Sequence, residues 1–184
     1  MQLRARQFPD FRSAIAAVAD GRDRNLLRNF NFMNEGQPPS VGKLAHDLGF
    51  VVEFENLPNS ISGYLEQDPF AEKGFRIVVN ASHPVTRQRW TTLHEIAHYY
   101  LHPRYRDVFS DNAHRASVGS LDHFYASDAE LVEEREANSW VEAIVFEQRA
   151  LKAALSIHGR DYVAVSKKFG VSTKTLEIAI SRRM

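Results

Sequence analysis

Two histidines four positions apart, with a glutamate directly after the first, form the segment His94-Glu95-Ile96-Ala97-His98. On an α-helix residues i and i+4 lie one above the other on one face, so both imidazoles can reach a single ion at the usual Zn–N distance of about 2.0–2.1 Å. Glu95 points roughly a quarter turn away, where its carboxylate can accept a proton from a water at the metal without ligating the metal. Five residues thus offer two ligands and a general base.

A catalytic zinc site needs a third protein ligand and an open position. The best candidate is Glu134, thirty-six positions after His98, within Glu134-Arg135-Glu136-Ala137-Asn138. Glu130, Glu133 and Glu136 are competitors on what is otherwise a solvated acidic face. Ala137 is small enough to let its helix approach the motif helix closely, and Asn138, one turn past Glu134, can hydrogen-bond a ligating histidine. A tetrahedral oxyanion would need a donor besides the metal. His102, His114, His123, Tyr99, Tyr100 and Tyr125 are the nearby candidates, and the sequence does not choose among them.

The surrounding elements must place these groups. From Pro84 onward Trp90, Leu93, Ala97, Tyr100 and Leu101 fall on one face of a helix that Pro103 stops. Asp128 can cap a second long helix buried through Leu131, Ala137, Val141, Ile144 and Val145. Ahead of the motif lie three strand-like runs, at residues 50–54, 61–65 and 74–80, with turns at Asn59-Ser60 and Asp68-Pro69. A small meander is the simplest arrangement for them. Ser40 caps a helix through Val41, Leu44 and Leu48 that Gly49 closes, and residues 11–32 read as two short helices or one kinked one. The polar stretch from Arg104 to Ser127 is too irregular to be one element.

A chain of 184 residues with 43% hydrophobic and 25% charged residues supports one good core, or one core and a small helical appendage. Without cysteine there are no disulfides, thiolate metal sites or thiol nucleophiles, so a metal must sit on His, Asp or Glu. No apolar run approaches the roughly 20 residues that span a bilayer, and the N-terminus lacks a signal-peptide core, so a cytoplasmic protein with no membrane partner is the expectation. Zero net charge argues against a dominant attraction to nucleic acid. Locally, residues 122–147 carry eight acidic groups against one arginine, and residues 160–184 carry a net +4. That basic end reads as a helix-turn-helix: a helix over 162–169, a turn at Gly170-Val171-Ser172, and a helix over 173–182. Its Val165, Phe169, Leu176 and Ala179 fall where the two helices would pack. Partner docking is favoured over direct DNA contact, because the pattern is short and the rest of the chain is not basic.

Taken together, Leu44-Ala45-His46-Asp47-Leu48-Gly49, Ile61-Ser62-Gly63-Tyr64, Ile77-Val78-Val79-Asn80, the run from Arg87 through the histidine motif to His102, and Glu134-Arg135-Glu136-Ala137-Asn138 resemble the ImmA/IrrE family of gluzincin-type metallopeptidases. The resemblance runs from about Val41 to Val145. It implies Zn2+ held by His94, His98 and Glu134, with Glu95 as the general base. It further implies cleavage of a helix-turn-helix transcriptional repressor or antitoxin, relieving repression. Family members often end the second helix with an aliphatic pair, Met and Pro, where this chain has Ile144-Val145-Phe146-Glu147; that departure bears on the shape of the substrate cleft and leaves the ligands in place.

The expected fold is α+β, a small antiparallel or mixed sheet packed against a zincin-type helix pair, with a C-terminal helix-turn-helix-like segment. The expected units are an N-terminal helical segment at 1–36, the metallopeptidase domain at 37–156 and the C-terminal segment at 157–184. The rival functions are a non-proteolytic zinc-containing regulator or toxin-antitoxin component that binds a repressor or DNA, and a purely structural metal helix pair in which Glu95 would have no task.

Overall fold

A computed structural model describes residues 4–30, 37–103, 116–118 and 128–183. The polar stretch from Arg104 to Ser127 therefore lies outside the described residues except for Ala116–Val118, and the candidates His114, His123 and Tyr125 lie outside them altogether. The architecture is α+β: a four-stranded mixed sheet and, among the described residues, eight helices.

The N-terminal region forms two helices, α1 (Phe11–Ala16) and α2 (Gly21–Phe30). The first is closed by a reciprocal cap in which Ser13 N–H donates to Asp10 Oδ1 at 2.7 Å while Asp10 N–H donates to Ser13 Oγ. As expected, Ser40 caps α3 (Val41–Asp47), accepting from Lys43 N–H at 3.2 Å. Gly49 then turns the chain at φ 92°, a left-handed conformation that favours glycine.

Strands β1 (Val51–Glu55), β2 (Ile61–Gln67) and β3 (Phe75–Asn80) fall within a residue or two of the expected runs, but they do not form a meander. The order is β1-β3-β2-β4, with β1 parallel to β3, β2 antiparallel to β3, and β4 (Ala116–Val118) added along β2. Two physical reasons put β3 in the middle. Phe75, Ile77, Val78 and Val79 are buried on both faces, which only a central strand allows, whereas β1 leaves Val51 and Phe54 exposed as an edge can. In addition, Arg76 of β3 reaches Glu53 of β1 at 2.8 Å and Glu66 of β2 at 2.5 Å. A meander would have set Glu53 and Glu66 on adjacent strands with no cation between them.

Helix α4 (Val85–Leu101) crosses the sheet and is enclosed by it, by α3 and by α5 (Asp128–Val145), so that every residue from Thr91 to His98 is buried. Such enclosure requires small residues at the crossings. Ala97 and Ala137 are fully buried in the shared core, and Gly63 of β2 leaves room for Thr91. A Cβ at Gly63 would stand 2.5 Å from Val78 O and 2.7 Å from Thr91 Cγ2.

The chain ends in α6 (Gln148–His158), α7 (Tyr162–Phe169) and α8 (Thr173–Arg183), with Gly170 in the left-handed region between the last two. Val165, Phe169, Leu176 and Ala179 are all buried and belong to the same continuous core as the sheet and α4. Arg89 of α4 adds a polar tie, donating to Gly170 O at 3.2 Å and to Pro39 O at 2.8 Å. Among the described residues no helix is long and apolar enough to cross a membrane.

The close approach at Gly63 yields a test of this layering. Gly63→Val should lower unfolding stability by ~1–3 kcal/mol or more in urea titrations, because the overpacked methyls must push β2 off β3 and α4. A variant as stable as the parent would mean that β2 and α4 are not so tightly apposed.

Candidate metal centre

Helices α4 and α5 bring His94, His98 and Glu134 together at their interface. His94 Nε2 lies 2.9 Å from His98 Nε2 and 3.0 Å from Glu134 Oε2, and His98 Nε2 lies 3.1 Å from Glu134 Oε1. Ligand atoms held tetrahedrally at about 2.0–2.1 Å from one ion would be roughly 3.3 Å apart, close to this triangle. The donor set fits a divalent cation for a second reason. Two imidazole nitrogens and a carboxylate turn electron pairs toward one point, and a dry interior leaves them repelling one another unless a cation or a proton stands between.

Burial and charge pull the pKa values of these groups in opposite directions. Burial pushes His94 down, but the Glu134 carboxylate overrides it, and with Glu95 and Asn138 adding to the effect the imidazole ends above its ordinary value. Burial dominates at His98 and, together with the neighbouring His94 and His102 rings, holds it down at about 4 in spite of Glu134. Burial would raise Glu134, yet the two imidazoles hold its carboxyl well below the usual range. A carboxylate so depressed is charged at neutral pH, as a ligand must be.

Glu95, 1% exposed, sits on the same turn as His94. Of the competing acidic residues, Glu133 groups with His98 and His102 rather than with the His94–His98 pair, and Glu136 lies against His102. Asn138 stands beside His94, and it also cross-links the two helices. Trp90 Nε1–H donates to Asn138 Oδ1 at 3.0 Å, and Asn138 Nδ2 donates to Glu134 O at 2.9 Å. The register between α4 and α5, and hence the ligand geometry, is fixed one turn from the centre.

The three described candidates for an oxyanion donor have other tasks. Tyr99 packs edge-on against Phe50 and Phe75, at centroid distances of 5.0 and 5.7 Å. Tyr100 donates its hydroxyl to Asp23 at 2.7 Å, and Lys73 joins the same carboxylate at 2.6 Å. His102 is held by His98 and Glu136. One support of the site, Asn80, appeared in the sequence only as part of the resemblance and without a role. Asn80, fully buried, donates from Nδ2 to Leu57 O, Pro58 O and Ile61 O and accepts from Ser82 N–H at Oδ1, so it ties the β1–β2 connection to the turn where β3 passes into α4. Only its short polar side chain at the end of an apolar strand could have signalled it.

Removing any member of the triangle should empty it. His94→Ala, His98→Ala and Glu134→Ala are each expected to lose stoichiometric metal on dialysis while the parent retains it, as measured by elemental mass spectrometry. Retention by Glu134→Ala would assign the third position to another carboxylate.

Comparison with known proteins comes to the same place. A search of curated proteins finds no match. The IrrE N-terminal-like domain family, Peptidase_M78, matches residues 45–181, which takes in the end of α3, the sheet, both helices of the centre and the C-terminal helices up to the last turns of α8. With most of its length matched, this chain belongs to the IrrE N-terminal-like family of metallopeptidases.

Proposed function

We propose that the chain is a zinc-dependent endopeptidase that cleaves a helix-turn-helix repressor or antitoxin and thereby relieves repression. The convergence of His94 Nε2, His98 Nε2 and the Glu134 carboxylate to within 3.1 Å of one another carries the chemical part of the proposal. Family membership and the resemblance described above support the choice of substrate.

His94, His98 and Glu134 would hold the ion, leaving a fourth position open. A bound Zn2+ supplies Lewis acidity, polarising the scissile carbonyl and lowering the pKa of the attacking water. Glu95 accepts the proton that this water loses as its oxygen bonds to the carbonyl carbon, and returns it to the amine as the C–N bond breaks. Its burial excludes bulk water from that transfer. Trp90 and Asn138, each four residues from a ligand, also line a cleft of about 1160 Å3 between α4, α5, α8 and the N-terminal segment. Partner docking is favoured over direct DNA contact because the helix-turn-helix-like pattern is short and the chain as a whole carries no net positive charge.

Glu95→Gln decides the enzymatic part. The variant should keep its metal and lose cleavage of a co-encoded helix-turn-helix protein by at least about 10²-fold, the low end of what a general base contributes. Full cleavage by that variant would remove Glu95 from the chemistry. A stable complex with the substrate and no cleavage by the parent would instead favour a non-proteolytic regulator.

Acidification supplies a second test. His94 holds its proton above the ordinary histidine value of about 6.5 when no metal is present, so metal must expel that proton on binding. Apparent metal affinity should fall as pH drops from 7.5 to 5.5, with proton release measurable in calorimetry in buffers of different ionisation enthalpy. Affinity flat across this window would contradict ligation by His94.

A further inference from the structure

Beyond the three converging groups, the same two helices carry a second layer. His98 turns its other nitrogen, Nδ1, to within 3.0 Å of His102 Nδ1. The far nitrogen of His102, Nε2, lies 3.2 Å from Glu136 Oε2. Glu136 Oε1 in turn accepts the main-chain N–H of Arg6 at 2.7 Å. His102 is 5% exposed, so water cannot substitute freely along this line.

A neutral imidazole has one N–H and one lone pair, and that decides where each proton stands. If Nε2 of His98 gives its lone pair to a metal, its proton is on Nδ1 and must be donated. The acceptor it meets at 3.0 Å is the lone pair of His102 Nδ1, which places the His102 proton on Nε2, facing the Glu136 carboxylate. Every donor then meets an acceptor. With the His102 proton on Nδ1 instead, two N–H groups would confront each other inside the protein, and Glu136 would face a lone pair.

We propose that His102, oriented by Glu136 and the Arg6 amide, is a positioning residue that locks His98 in the tautomer able to bind metal through Nε2. This rests on the metal centre proposed above and deepens it. The line couples the N-terminal segment to the centre, since Arg6 is tied to Glu136 and the neighbouring Phe8 N–H donates to Ser139 Oγ on the same helix at 2.9 Å. A carboxylate behind a ligating histidine characteristically raises ligand basicity and fixes ring orientation, and its loss costs about 10–100-fold in metal affinity. Here that action reaches the ligand through a second imidazole.

Zinc affinity by chelator competition, on the full chain, tests this. His102→Leu should bind zinc about 10–100-fold more weakly than the parent. His102→Gln, whose amide can accept from one side and donate to the other, should recover most of the loss. Long-range 1H–15N spectra of the zinc-loaded parent require no substitution, and should find the proton on Nδ1 of His98 and on Nε2 of His102. The proposal is overturned if His102→Leu binds within threefold of the parent, if His102 carries its proton on Nδ1, or if the loaded chain holds two ions, which would put metal on His98 Nδ1, His102 and Glu133. His94→Ala run in parallel separates the two levels: loss of metal there with none in His102→Leu sinks only this inference, and no loss in either sinks the metal centre itself.

Discussion

The structure is organised around the burial of two imidazoles and a carboxylate at a helix–helix interface that water does not reach freely. A carboxylate brought into such surroundings alone would cost several kcal/mol. The site is therefore stable only with a positive charge at its middle, either a proton shared between His94 and Glu134 or a metal cation. This one requirement explains why α4 is buried through eight consecutive residues, and why β2, α3 and α5 press on it from different sides. An amphipathic surface helix would bury one face; this helix has chemistry on one face and core on the others.

Holding three ligand atoms to a fraction of an ångström demands rigidity at some distance from them. The chain supplies it through long-range polar ties around α5. Trp140 donates to Ala14 O at 3.0 Å, joining α5 to α1, and Arg182 and Arg183 of α8 meet Glu142 on α5. Arg183 also reaches Phe8 O and Pro9 O, so the two ends of the described chain close over the same helix. On the other side of α4, the Asp23 carboxylate draws in Tyr100 and Lys73 and binds α2, α4 and the β2–β3 connection at one buried point. Burial, with Asp23 beside it, pushes the Tyr100 phenol far above its ordinary value, so this hydroxyl stays protonated as a fixed donor.

What could be read from sequence and what could not divides along chain separation. Local signals were legible: the Ser40 cap, the Gly49 stop, the strand runs, the helix carrying the histidines, and the i, i+4 spacing itself. Glu134 could be ranked above its neighbours from residue types, and the resemblance singled it out. Strand order was not legible from turns, because Asn59-Ser60 and Asp68-Pro69 mark where strands end and not which strand each will neighbour. The apolar continuity of β3 and the Glu53–Arg76–Glu66 ladder held that information, but reading it requires weighing three strands at once. Least visible were contacts such as Arg6 to Glu136, 130 positions apart, which exist only because the completed core brings the two segments together.

The spacing of His94 and His98 on α4 and of His102 at its C-cap shows why the outer layer has the form it does. Each residue of an α-helix advances about 100°, so a step of four overshoots a full turn by about 40°, and His102 is rotated by about 80° from His94 and displaced by about 12 Å along the axis. Two successive histidines can share an ion across one such step. A third, two steps from the first, cannot reach the same ion, and its ring instead meets the outward nitrogen of the second. The residue that follows is Pro103, which forbids another turn, so α4 ends as soon as His102 has been placed. Histidines at every fourth position, two within α4 and one at its cap, thus generate two ligands and one support, and leave the third ligand to another helix, whose approach is limited by Ala97 and Ala137.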